Sequence, residues 1–351
     1  MLLSQRKISS PCKARSRAAE RANVVIAGLA VFAVILVAIS LMLGRYLINP
    51  DQALAMLVNQ VIPLDQTWTD QQQTLFFNVR LPRILMALMV GCGLSVAGAA
   101  YQGTFQNPLV SPDILGASQG AAFGAAVAIL AGFTAVMVSV SAFCFALLTV
   151  FLVLLISSRA KGNHMMIVVL AGVMVSSLVQ AGVSYTKLIA DPTDELADIT
   201  YWLMGSLTGA KMDQVAAVFP ILLVGCAVMF VLRWRINILT IGDDEASTMG
   251  VDARRLRIIV IVVATFLTAA CVSVTGMIGW VGLVIPHLCR MLVGADHRKL
   301  IPASMLMGAG FLLLVDDISR LATTAEIPIG ILTAFVGAPF FLYLITRKKR
   351  V

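Results

Sequence analysis

Runs of about twenty apolar residues, parted by short polar turns, recur along almost the whole chain. A helix of that length crosses the ~30 Å hydrocarbon core of a bilayer. Inside lipid every backbone N–H and C=O must be satisfied within the protein. Of 351 residues, 59% are hydrophobic and only 13% charged, with mean hydropathy +0.93. Soluble domains carry about 25% charged residues. The chain is therefore expected to be an all-α polytopic membrane protein folded as one bundle.

Ten transmembrane helices are expected, at 23–43, 84–103, 114–131, 134–156, 165–187, 214–232, 257–276, 278–293, 300–317 and 328–345. They are expected to form a single ten-helix domain, 23–346, between a basic N-terminus at 1–22 and a basic tail at 347–351. The first apolar run is too long for a signal-peptide core and no small-residue cleavage site follows it, so it is expected to stay as a span. Residues 45–79 are the longest polar loop and 188–213 an acidic one; both are expected outside.

The net charge of +8 is no nucleic-acid signature, because lysines and arginines gather at span ends. With ten spans both termini share a side. That side holds nineteen of the basic residues and the other holds six, so both termini are expected in the cytoplasm. The six cysteines lie scattered, mostly within apolar runs and without a CxxC pair, and are expected to be small buried hydrophobes rather than disulfides or metal ligands. No GxxxxGKS/T phosphate loop and no HExxH are present, so neither ATP hydrolysis by that route, nor a cofactor, nor a metal is expected.

Gly116, Gly120 and Gly124 recur every four residues and give the third span a bare stripe suited to close helix packing; pore lining is the other possibility. The fifth span carries Ser176, Ser177, Gln180 and Ser184, which at membrane depth need another helix or a wet cavity. His287, Asp316 and Asp317 are the main intramembrane ionisable groups. A relay would use them, but a packing histidine and a local ion pair with Arg320 are the plainer uses. A weak inverted repeat is suggested by Ser95/Ser273, Gly98/Gly276, Pro108/Pro286 and Gly116/Gly294, all at one offset.

The longest polar interruption of the second half is 239–256, LTIGDDEASTMGVDARRL. Gly242 and Gly250 break the chain, and Asp243, Asp244 and Glu245 form an acidic helix start that suits the helix dipole. One or two short helices are expected there, able to pass motion from a soluble partner to the bundle; an ordinary solvated loop would have the same composition.

The stretches LPRILMALMVGCGLSVAGAAYQGTFQNPLVSPDILGASQGAAFG, IGDDEASTMGV, and GWVGLVIPHLCRMLVGADHRKLIPASMLMGAGFLLLVDDISR through IPIGILTAFVGAPFFLYLI resemble the iron-siderophore, haem and cobalamin permeases of bacterial ABC importers, from about residue 75 to 346. The resemblance implies ten helices per subunit in the bacterial inner membrane. Its partners would be a second permease subunit, with a homodimer expected, two cytoplasmic ATPase subunits and an extracytoplasmic substrate-binding protein. It also implies that Arg80, Arg83 and, through a slightly shorter loop, Arg320 dock the binding protein. Interfacial arginines that merely hold helix ends would look the same. Gly242, Asp243, Asp244, Glu245, Ala246 and Gly250 fall at the family's coupling helices, which sit against the ATPase. Asn163, Met165 and Met166 fall at the family's inner gate, where small polar residues are usual, and spans five and ten would line the pathway. The expected function is then import of a metal chelate, ferric siderophore first and haem or cobalamin next. A small oxyanion such as molybdate is the alternative within this architecture, and an ion-coupled secondary transporter or a structural membrane subunit the alternatives outside it.

Overall fold

The computed structural model describes residues 11–44, 46, 48–162 and 164–346. Fourteen α-helices follow in order: α1 (Pro11–Met42), α2 (Pro50–Val58), α3 (Asp70–Leu75), α4 (Leu81–Thr104), α5 (Ala117–Leu130), α6 (Ala135–Arg159), α7 (His164–Ile189), α8 (Glu195–Met204), α9 (Met212–Leu239), α10 (Asp243–Thr248), α11 (Ala253–Thr275), α12 (Val281–Val293), α13 (His297–Leu321) and α14 (Ile329–Thr346). Among the described residues there is no strand. Every expected span coincides with a helix. Seven stretches are long and apolar enough to cross a membrane: Ala19–Met42, Asp70–Thr104, Ala135–Arg159, Met165–Ile189, Met212–Leu239, Ala253–Thr275 and His297–Leu321. Three apolar helices, in α5, α12 and α14, are shorter, so length and composition alone support seven crossings rather than ten. Glycines in left-handed backbone account for two of the short ones. Gly116 (φ +79°) and Gly132 (φ +70°) bracket α5, and Gly276 (φ +69°) and Gly294 (φ +87°) bracket the segment holding α12.

The bundle is organised about α4 and α11, the most buried of the long helices, while α1, α6, α7 and α9 leave wide apolar faces exposed. The sequence GCGLSVAGAA lets α4 take this position. A Cβ on Gly98 would fall 2.5 Å from the Gly282 carbonyl carbon, so α4 and α12 touch backbone to backbone there. Two of the four repeat pairs sit in unlike settings, Pro108 in a loop against Pro286 inside α12 and Gly98 inside α4 against Gly276 capping α11, while Ser95 and Ser273 are both buried within helices. Gly116 and Gly294 alone share left-handed backbone.

Helix α3 runs into α4 through one wide turn, Phe76–Arg80, in which the Leu81 N–H reaches the Phe76 carbonyl. Pro82 supplies the reason. It has no N–H for the Asn78 carbonyl and its ring crowds that oxygen, so an extra residue is taken into the turn.

The stretch expected to be a polar loop, 45–79, is folded. Helices α2 and α3 close over a small core of Ile48, Ala53, Met56, Trp68 and Phe76. The glutamine run holds it: the Gln72 N–H donates to Thr69 Oγ1 (3.3 Å), Gln72 Oε1 accepts from the Thr69 N–H (2.9 Å), and Gln73 Oε1 accepts from Trp68 Nε1 (2.9 Å). Likewise the acidic loop 188–213 contains α8, stopped by Gly205 at φ +70°.

Candidate functional site

Two polar constellations stand at opposite ends of α4, about 36 Å apart at 1.5 Å per residue. The first joins the start of α4 to the end of α13 and the end of α1. Arg80, Arg83 and Arg320 meet there, around a cavity of about 160 Å³. All three are buried, at 3%, 6% and 8% exposure. Burying a guanidinium is costly unless carboxylates or backbone carbonyls take up its N–H groups. Arg80 donates from Nη1 to the Leu41 and Met42 carbonyls (2.9 and 3.3 Å) and from Nη2 to the Tyr46 carbonyl, capping the open end of α1. Arg83 donates from Nε to both Asp316 oxygens (2.9 and 3.0 Å) and from Nη1 to Glu326 Oε2 (2.8 Å). Arg320 pairs with Asp317 and donates to the Ser40 carbonyl (3.0 Å), while Ser40 Oγ donates to Asp317 (2.7 Å).

Three cations and three carboxylates thus share this end of the bundle: Arg83 and Arg320 are paired with acids, whereas Arg80 is held by backbone carbonyls. Asp316 and Asp317 are absorbed by this cluster, the local ion pair rather than a relay. Glu326 is its exchangeable member: partly exposed, it also accepts from Thr208 Oγ1 (2.7 Å) on the α8–α9 connection. Ser40, Thr208 and Glu326 escaped the sequence reading. An Arg-to-acid headcount for this end of the bundle would have flagged Glu326.

The second constellation is α10 with its flanks. Gly242 (φ +143°) and Gly250 (φ +77°) turn the chain in and out of it. One helix forms here, and only Ala246 is buried; Asp244, Glu245, Ser247 and Met249 are exposed. A single clamp holds it. Arg257 Nη1 and Nη2 donate to the Asp243 carboxylate (2.8 and 2.5 Å), and Arg257 Nε donates to the Thr104 carbonyl (3.2 Å) at the last residue of α4. These hydrogen bonds from Arg257 hold the Asp243 carboxyl below its usual range. Gln106 adds a second tie, donating to the Leu239 carbonyl (2.7 Å). The expected coupling residues therefore do come together, on a solvated helix fastened to the centre of the bundle.

The fifth-span residues divide. Ser177, Gln180 and Ser184 lie on the exposed face of α7, beside Met166, Val173, Met174, Leu178 and Leu188. Ser177 and Ser184 donate to carbonyls one turn back, Val173 (2.8 Å) and Gln180 (3.1 Å), and so present little free polarity. Ser176 turns the other way, its Oγ buried without a partner against Gly116. Met165 is half-buried, and Asn163 lies outside the described residues. Gly120 and Gly124 press against α6, where Ser141 Oγ donates to the Gly124 carbonyl (2.7 Å). His287 packs its ring against Phe340 and Phe341, at 6.2 and 6.0 Å between centroids. Among the described residues no group of three or more His, Cys, Asp or Glu side chains could hold a metal ion.

The sequence and the overall fold of this chain are shared with known proteins. The FecCD transport family model matches residues 32–347. The chain belongs to the FecCD transport family. It is 41% identical over 329 residues to the molybdate import system permease of Haemophilus influenzae, covering 93% of this chain and 96% of that one. It is 40% identical over 296 residues to the cobalamin import system permease of Halobacterium salinarum, covering 84% and 79%. A solved inward-facing metal-chelate type ABC transporter superposes with TM-score 0.83 at 40% identity, over 92% of this chain and 99% of that one. This FecCD chain is accordingly a multi-pass membrane permease of the ABC transporter type, a transport component rather than an enzyme.

Proposed function

We propose that this FecCD permease forms the membrane pathway of an ATP-driven importer, as a homodimer with two cytoplasmic ATPase subunits and an extracytoplasmic binding protein. The observation that carries the reading is α10: a short exposed acidic helix tied through Arg257 to the end of α4. A partner pushing on α10 acts on the most buried helix of the bundle directly. Its end of the molecule, with both termini, faces the cytoplasm in this reading, as the distribution of lysine and arginine supports. The arginine cluster then faces outward. A binding protein's carboxylates would reach it by replacing Glu326 on Arg83, which makes docking dependent on ionic strength. The exposed face of α7, with Ser177, Gln180 and Ser184, together with α14, is assigned to the pathway and to the second subunit.

Replacing 242–250 by a Gly/Ser linker tests the coupling role. The expected result is a folded permease that no longer co-purifies with its ATPase and no longer supports ATP-driven uptake. Uptake driven by a proton or sodium gradient in ATP-depleted vesicles would overturn the scheme in favour of a secondary transporter.

For the cargo, a metal chelate is proposed, ferric siderophore first and haem or cobalamin next, in keeping with the match to a metal-chelate type transporter. A second reading, molybdate, is favoured by one specific observation: the 41% identity to the H. influenzae molybdate permease runs over nearly the full length of both chains. Proteoliposomes holding the complete complex, given radiolabelled ferric siderophore or radiolabelled molybdate with the cognate binding protein, distinguish the two.

A further inference from the structure

Three of the six cysteines converge where α4, α9 and α11 meet, although their spacing in the chain gives no hint of it. Cys92 Sγ and Cys226 Sγ are in contact at 3.8 Å, from positions 134 residues apart. Cys271 lies behind them, wholly buried, its Sγ directed to the Val90 carbonyl (3.8 Å) and packed against Gly93. The other described cysteines have no thiol neighbour: Cys144 is exposed on α6, and Cys289 contacts Met307 Sδ at 3.4 Å.

We propose that Cys92 and Cys226 form an oxidisable pair at which a lipid-soluble two-electron oxidant of the quinone class joins α4 to α9 through a disulfide. Thiols already in contact lie within about 2 Å of the ~2.05 Å bonded distance, to be closed by side-chain rotation and whatever helix adjustment the bridge requires. Position favours this pair over the others. Cys92 and Cys226 are half-buried, whereas Cys271 and Cys289 are sealed in the core. On α9, Cys226 lies at the seam between buried Leu222 and Met229 and exposed Leu223 and Phe230, each three or four residues away. A reagent dissolved in the bilayer reaches that seam, while aqueous thiols do not. In the reaction two S–H bonds break and one S–S bond forms. The two electrons and two protons pass to the quinone, which leaves as the quinol.

The bridge would lie along α9, whose end leads into α10, and along α4, whose end carries the Arg257 contact. It would therefore tie together the two helices through which α10 is held. Any effect on transport rests on the coupling role proposed above; the chemistry of the pair does not.

The full-length wild-type permease in lipid nanodiscs is treated with a fully substituted short-chain quinone, the quinol serving as control. Free thiols are then counted after denaturation, and non-reduced peptides are mapped by mass spectrometry. The expected result is a fall from six thiols per chain to four, one intramolecular peptide joining residues 92 and 226, and recovery of six with dithiothreitol. Cys92→Ala and Cys226→Ala should each abolish the loss, and Cys144→Ala and Cys271→Ala should not. A count that stays at six, a bridge from Cys92 to Cys271, or only intermolecular bridges through Cys144 would each overturn the proposal. Because the wild-type chain is tested directly, misfolding of a variant does not decide the outcome. Loss of thiols without loss of ATP-driven uptake would count against the coupling role alone.

Discussion

The two ends of α4 carry the same chemical pair, arginine and aspartate, in opposite surroundings. At one end Arg83 and Asp316 are both buried; at the other Arg257 is buried, but Asp243 is about half exposed. Burial changes what the pair is for. In a low-dielectric site each charge depends on the other, and loss of either strands its partner. At a solvated site water replaces a lost partner cheaply, so the contact is free to form and break during a working cycle. The arginine end is built to stay shut and the α10 end to yield.

The sharpest way to break this comparison is Arg83→Ala. It leaves Asp316 uncompensated and should destabilise the permease by about 3–5 kcal/mol, read as thermal unfolding in detergent. The apolar swap Arg83→Met with Asp316→Leu should recover most of that loss; failure to recover would show that the pair does more than neutralise itself. Next in size, Arg257→Ala should cost about 1.5–3 kcal/mol, the worth of a hydrogen bond to a charged group, because Asp243 returns to water. If its unfolding shift equals that of Arg83→Ala, the contrast between the ends is lost. A pH titration is gentler. The Asp243 carboxyl is held below its usual range, so its contribution is fully present above the unfolded value of about 3.9 and fades as pH falls through the folded value. The protection of α10 amides relative to their intrinsic exchange rate should therefore hold down to about pH 4 and fall below it. Smallest of all, Asp244→Asn, on an exposed carboxylate beside the clamp, should stay within about ±0.5 kcal/mol of the parent.

Hydropathy placed every long helix, because lipid imposes one requirement along the whole length of a span, but not the polar extensions at the start of α1 and the end of α9. It does not report that α5 and α12 are short, because glycines in left-handed backbone bracket them. The folded cap at 45–79 was missed since its signals are polar: the Thr69–Gln72 box looks like any hydrophilic loop until its partners are seen. The short acidic helix at 243–248 was legible because its glycine breaks and acids are neighbours in the chain. The arginine cluster was legible only by type. Arg83 meets Asp316 and Glu326 across 233 and 243 residues, and no local pattern reports whether such a cation faces water or an acid. The cysteine contact was hidden for the same reason.

The wide turn at Phe76–Arg80 works as a phase-shifter. One additional residue in a helix swings everything beyond it by about 100°. The outer cap on α3 and the span on α4 therefore share an axis but point their side chains by separate bearings. Deleting a single residue from 76–80 should leave the span seated while rotating the cap, with Phe76, off its small core.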